Sequence, residues 1–240
     1  MPHTWDPTSP SPIEALQRLR EGNLRFREGT TSMVGAPSES SAAGQAPVVS
    51  AARPSLLATS WDPKHASSPQ RPFAIILGCS DSRTPVEILF DQGFGELFVV
   101  RIAGNIVAPS VVGSIEFAAS QFGTRLVVVM GHTRCGAVTA TVNAIQTGMG
   151  PASKNIQSIT DRITPHVEDL VRHELTHRPE DRASLMREAV RANVRASADH
   201  LRHGSRIIEE LVLAERLVVV GAEYELETGV VDFFDGVPTP

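Results

Sequence analysis

The sequence predicts an α/β fold: a central, mostly parallel sheet of about four strands plus an antiparallel edge strand, flanked by helices and preceded by an N-terminal helical arm. Three observations carry this reading. Four apolar runs recur, FAIILG (73–78), ELFVVR (96–101), RLVVVMG (125–131) and RLVVVGAEYEL (216–226). They are continuous and β-branched rather than alternating, the pattern of strands buried on both faces of a parallel sheet. Helical stretches separate them, and a closing VVDFF (230–234) follows the turn residues Glu227, Thr228 and Gly229, as an edge strand would.

The elements follow in order. Ile13, Leu16 and Leu19 fall at helical spacing in PIEALQRLREGNLRF, with Leu24 further on. Pro12 suits a helix N-terminus, Glu14 its first turn and Gly29 its end. Residues 1–30 are therefore read as a helical arm. Residues 31–70 change character: nine Ser, eight Ala, five Pro and two Gly fill 24 of the 40 positions, with only four charges. That composition predicts a loose loop or extended arm, partly disordered, with Trp61 and the Leu56-Leu57 pair pinning it to a surface. Residues 71–240 form the α/β domain. Within it VVGSIEFAASQFG (111–123) reads as a helix stopped at Gly123, and the charge-rich span from about 155 to 214 reads as all-helical. No internal repeat is evident.

Composition excludes several classes. With 22 basic and 27 acidic residues the formal net charge is −5, which offers no attraction for nucleic acid or an anionic membrane. No apolar run approaches the roughly 18 residues of a membrane span. The start, MPHTWDPTSPSP, lacks the basic and apolar regions of a secretory signal, so a cytoplasmic location is expected. The two cysteines, Cys79 and Cys135, are too few for a disulfide scaffold.

Those cysteines sit at strand ends. Cys79 follows FAIILG, and His132-Thr133-Arg134-Cys135 follows RLVVVMG. Ligands of open α/β sheets bind beyond the carboxyl ends of strands. Two thiolates and an imidazole suit Zn2+, at about 2.3 Å to sulfur and 2.0–2.1 Å to nitrogen, and leave a fourth position open. Taken bare, the constellation also allows two buried hydrophobic thiols or one disulfide. The neighbours favour the metal. In CSDSR, Asp81 could fill the fourth position or turn away to the bidentate fork of Arg83. The bland alternative makes Asp81 a helix cap and Arg83 a surface charge, because SRTPVEIL reads as a helix start.

CSDSR (79–83) with Glu87 and FDQG (90–93), GELFVVRIAGN (95–105), GSIEFA (113–118) and GHTRCGAV (131–138) together resemble the β-class carbonic anhydrases. The likeness is ordered over about 70–147 and weaker at the N-terminal helix and at VVVGAEYELETG (218–229). It implies Cys79, His132 and Cys135 as zinc ligands, and Asp81 with Arg83 as the catalytic dyad, Asp81 becoming a fourth ligand in a closed state. It implies Gln70, Phe98, Ala103 and Gly136 as substrate-binding positions. It also implies a site at a dimer interface, hence a homodimer or higher homo-oligomer. The arm helix is expected to clasp the partner with its Ile13/Leu16/Leu19 face.

Three positions depart from the family pattern. Phe117 stands where many members carry tyrosine, Ala103 where plant-type members carry valine, and Ile76 where bicarbonate-inhibited bacterial members carry tryptophan. His3, His65, His166, His173, His177, His200 and His203 follow no ligand motif and read as solvated side chains, among which a proton shuttle could lie.

The activity implied is zinc-dependent reversible hydration of carbon dioxide to bicarbonate, the metal lowering the pKa of bound water to about 7 so that hydroxide exists at neutral pH. Rivals are a relative acting on carbon disulfide or carbonyl sulfide, and a structural-zinc or redox-sensing protein. Asp81, with zinc and Arg83 as competing partners, further suggests a site that closes at low pH and opens at high pH.

Overall fold

The computed structural model describes residues 9–30, 69–177 and 181–238, with the side chains of 174–177 excepted. The expected order of most of 31–70, with Trp61 and Leu56-Leu57, lies outside the described residues, as do His3 and His65. Five strands form one sheet in the order β2-β1-β3-β4-β5: β1 Ala74–Gly78, β2 Leu97–Arg101, β3 Leu126–His132, β4 Val218–Tyr224 and β5 Val231–Asp235. β1 to β4 run parallel and β5 returns antiparallel to β4. The predicted fold class is the observed one.

The helices are α1 Pro12–Glu28, α2 Val86–Leu89, α3 Pro109–Gln121, α4 Gly136–Thr147, α5 Lys154–His177, α6 Arg182–His203 and α7 Arg206–Leu213. The span read as all-helical is thus three helices, and α4 is an element the apolar pattern did not single out. None of the described helices is long and apolar enough to cross a membrane.

Strand side chains alternate between faces, and the core divides accordingly. Ile76, Val128, Met130 and Val220 pack with α1 and α2, among Leu16, Leu19, Leu89 and Phe90. Ile75, Leu77, Val127 and Val129 pack on the other face with Ile115 of α3, Val194 and Leu201 of α6 and Ile208 of α7. The chain leaves β1 for β2 on one side and then crosses to β3 on the other, through α2 on one face and α3 on the opposite face. The crevice between the carboxyl ends of β1 and β3 is therefore the switch point, where such sheets hold ligands.

α1 shows how closely its caps were legible. Ser11 and Glu14 form a reciprocal capping box, Pro12 opens the helix and Gly29 closes it at φ 67°. Its partner was not legible. Leu16 and Leu19 are buried in this chain's own core, while Ile13 and Leu24 stay about half exposed. The expectation that the Ile13/Leu16/Leu19 face clasps a second copy is corrected for Leu16 and Leu19, which pack with Leu89 and Phe90 in this chain's own core. A Cβ on Gly22 would lie 1.8 Å from the Phe90 carbonyl oxygen, so only glycine permits this approach. Asn23 then donates to the Leu89 and Gly229 carbonyls and accepts from Val231 N.

Candidate metal centre

β1 delivers Cys79 to the crevice, and the loop after it is tied down from both sides. Thr84 Oγ1 donates to the carbonyls of Cys79 (3.2 Å) and Asp81 (2.9 Å). From the end of β2, Arg101 Nε donates to the Cys79 carbonyl at 3.0 Å and Nη2 to the Asp81 carbonyl at 2.5 Å. With its backbone held, Asp81 faces Arg83. Arg83 Nε and N each donate to Oδ1 at 2.9 Å, and Nη2 donates to Oδ2 at 2.7 Å. Those bonds hold the Asp81 carboxyl well below the usual carboxylate range. Asp81 is not the helix cap the bland reading made it; Pro85 occupies that place.

β3 delivers the other two donors through a bend. His132 is fully buried, and its Nδ1–H donates to the Thr133 carbonyl at 2.9 Å, which leaves Nε2 with the lone pair. Thr133 is anchored to the neighbouring strand, its N–H donating to Tyr224 O and its Oγ1 accepting from Leu226 N at 3.0 Å. Arg134 adopts φ 58°, a left-handed conformation uncommon for a side chain of this size. Its side chain pairs with Glu227. The bend lets Cys135, the N-cap of α4, turn back to the crevice.

The three donors converge. Cys79 Sγ, Cys135 Sγ and a ring nitrogen of His132 lie within 4.8 Å of one another, all in buried residues, and they are the one such His/Cys/Asp/Glu cluster found among the described residues. Both cysteines are free thiols. The hydrogen bond between them lowers Cys79 and, with burial, raises Cys135. Gly104 N–H donates to Cys79 Sγ at 3.4 Å; Gly104 sits at φ 69°, in the turn Ala103–Asn105 after β2. Asn193 of α6 holds that turn by donating to Gly104 O at 2.8 Å.

His132 Nε2 is buried and has no hydrogen-bond partner. A bare imidazole lone pair beside two sulfurs is an uncompensated acceptor unless a cation takes it. The residues therefore fit Zn2+, whose ligands are soft sulfur and imidazole nitrogen. Asp81 Oδ2 stands 3.9 Å from Nε2 and is turned to Arg83.

The implied substrate-binding residues separate. Ala103 and Gly136 directly adjoin Gly104 and Cys135 at this end of the sheet. Phe98 lies in mid-strand, paired with Ile75 and packed near Phe117 and Phe122, with ring centroids 6.3 and 6.1 Å away. Gln70 is exposed and abuts Gly95 before β2, at the amino end of the sheet. One chain thus joins Cys79, Asp81, Arg83, His132 and Cys135, and leaves Gln70 and Phe98 apart from them. Sequence reasoning assigned no role to Arg101 or Asn193. Arg101 was findable, since it pairs with Gly78 at a strand end. Asn193 was not, being 89 residues from Gly104.

A family model described as carbonic anhydrase matches residues 74–231. Carbonic anhydrase 2 of Mycobacterium tuberculosis is 34% identical over 220 residues, 91% of each chain. A carbonic anhydrase of Mycolicibacterium smegmatis is 35% identical over 224 residues, covering 92% of this chain and 93% of that one. Among solved structures, a Coccomyxa β-carbonic anhydrase in complex with acetazolamide is 27% identical with a TM-score of 0.60, over 71% of this chain and 75% of that one. Tetrameric β-carbonic anhydrases of Sordaria macrospora share the fold at a TM-score of 0.64 and 24% identity, over 74% of this chain and 87% of that one.

Proposed function

We propose a function that proceeds from one premise: the chain belongs to the β-class carbonic anhydrase family. It is an enzyme of reversible carbon dioxide hydration, forming bicarbonate and a proton. The reading assigns Cys79, His132 and Cys135 to one Zn2+ per chain, and the bare, buried His132 Nε2 between two thiols is the observation that carries it. Zinc held there would supply a Lewis acid and would lower the pKa of a water to about 7.

The chain's own residues do the rest. Asp81 accepts the hydrogen of the attacking oxygen and so aims its lone pair at carbon dioxide. Arg83 fixes Asp81 with three hydrogen bonds. Gly104 N–H and the Asn193 brace behind it hold Cys79 Sγ in place. Ala103 and the Gly136 end of α4 line the approach. Closure of Asp81 as a fourth ligand requires that it leave Arg83.

We assign Gln70 and Phe98 to the site of a second copy, because within one chain they lie apart from it, which makes a dimer the smallest complete unit. Two buried free thiols support a reducing, cytoplasmic setting. The test is metal analysis and stopped-flow carbon dioxide hydration on one preparation, with sedimentation alongside. About one zinc per chain with rapid hydration is expected. Zinc without hydration would leave a structural site, and a fully active monomer would remove the shared one.

A further inference from the structure

Two of the motif-free histidines do not lie alone. His166 of α5 and His200 of α6 face a cleft of about 580 Å³ walled by α3, α5, α6 and the Val107–Ala108 segment. None of Cys79, Asp81, His132 and Cys135 lines it. The volume falls within the roughly 300–1,000 Å³ of small-molecule sites.

The lining divides by chemistry. Val107, Val112 and Ala196 make an apolar wall, and Arg162, His166 and His200 supply cationic or N–H donor groups. Glu116, the acid of the cleft, is already engaged: it accepts from Ser205 Oγ at 2.5 Å. Burial, with the nearby His200, lowers His166 below its ordinary 6.5, which favours its neutral ring, an N–H donor, over the imidazolium.

Helix propensity points to the same place. Gly113 lies inside α3 and Pro165 inside α5, two poor helix formers, and both line this cleft. Gly113 is not required by close packing, since a Cβ there would meet nothing within 4 Å. Its missing side chain keeps the cleft open.

We propose that this cleft is a second binding site, for a small organic anion. Its carboxylate or phosphate head pairs with Arg162, His166 and His200, and an aryl or branched body lies on Val107, Val112 and Ala196. The turn that carries Gly104 to Cys79 runs on into Val107, so the site adjoins the metal centre without sharing its ligands.

The test is methyl NMR of the zinc-loaded, full-length protein titrated with benzoate and with phenyl phosphate. Benzyl alcohol serves as the neutral body and inorganic phosphate as the bare head. Saturable shifts are expected at Val107, Val112 and Ala196, with Val138, which packs in the cluster of Cys79 and Cys135, unmoved at the same concentrations. Arg162→Gln should weaken binding by roughly tenfold or more, the worth of a charge-assisted contact. Gly113→Leu should fill the cleft and abolish binding, with carbon dioxide hydration and oligomeric state unchanged. The proposal is overturned if shifts appear only at Val138, if benzyl alcohol or inorganic phosphate binds as tightly, or if Gly113→Leu still binds. It is equally overturned if Gly113→Leu splits the oligomer, which would make this wall a subunit interface.

Discussion

At the carboxyl ends of the parallel strands the chain leaves buried polar groups without partners; at the amino ends it satisfies them. The three buried side-chain nitrogen or oxygen atoms that lack a hydrogen bond among the described residues are Asn105 Nδ2 just past β2, His132 Nε2 at the end of β3 and Glu223 Oε1 near the end of β4. The amino end is closed by Arg71 and Phe73 N–H donating to Gly95 and Glu96, by Thr124 Oγ1 donating to Pro72 O, and by Arg18 lying 4.2 Å over the Phe73 ring. An unmet buried polar group costs about 1–3 kcal/mol. The cost at His132 Nε2 is one that a metal held with Cys79 and Cys135 would repay, and at the other end Arg18 ties α1 to the sheet. Changes at the two ends should therefore separate chemistry from stability.

The largest effect belongs to the carboxyl end. Cys135→Ser removes a soft ligand, and zinc content and hydration should vanish together, as metal analysis of the purified variant would show. Full zinc occupancy in that variant would dismantle the centre. Next comes Asp81→Asn, which keeps the shape and removes the acceptor charge. Hydration should fall by about 10²–10⁴-fold with zinc retained. Arg83→Ala probes the same pair from the other side: freed of the two guanidinium bonds and left with only the residue-83 backbone N–H, Asp81 can close on the metal, and a structure of that variant would show a fourth protein ligand. If Asp81 keeps its present orientation there, Arg83 is not what holds it.

The amino end should behave in the opposite way. Leu19→Ala opens a cavity at a fully buried position and should cost about 2–5 kcal/mol in denaturant unfolding, while zinc stoichiometry stays at one per chain. Zinc loss in that variant would show that the ends are coupled. The smallest effect is at the cap. Ser11→Ala should cost about 1 kcal/mol near neutral pH. The Ser11 hydroxyl and amide lower Glu14 from its ordinary 4.5, so the stabilisation from its ionised form is present above that pH and lost as pH falls through the lowered value. The difference between wild type and Ser11→Ala should then shrink below pH 4.5, as paired unfolding curves would reveal; a constant gap would refute the reciprocal cap.

The ligand set was legible because it needs only two short segments at two strand ends. Continuous apolar runs located the strands, and Cys79 and His132-Thr133-Arg134-Cys135 followed them directly. Asp81 and Arg83 were legible for the same reason, being two and four residues from Cys79. Helix α4 was overlooked because GAVTATVNAIQT carries β-branched residues that weaken a helical pattern. The face of α1 was read from spacing alone, which says that Leu16 and Leu19 will be covered and nothing about which chain covers them.

Local chemistry in the sequence determined the parallel strands, the caps of α1, the soft donor set and the Asp81–Arg83 pair, since each depends on residues within a few positions or on one period. Strand order, the Arg101 and Asn193 braces, the cleft joining His166 to His200 and the separation of Gln70 from the metal centre were decided by tertiary structure. These join residues tens of positions apart, and only closure of the sheet, with helices laid on both faces, determines which distant side chains become neighbours.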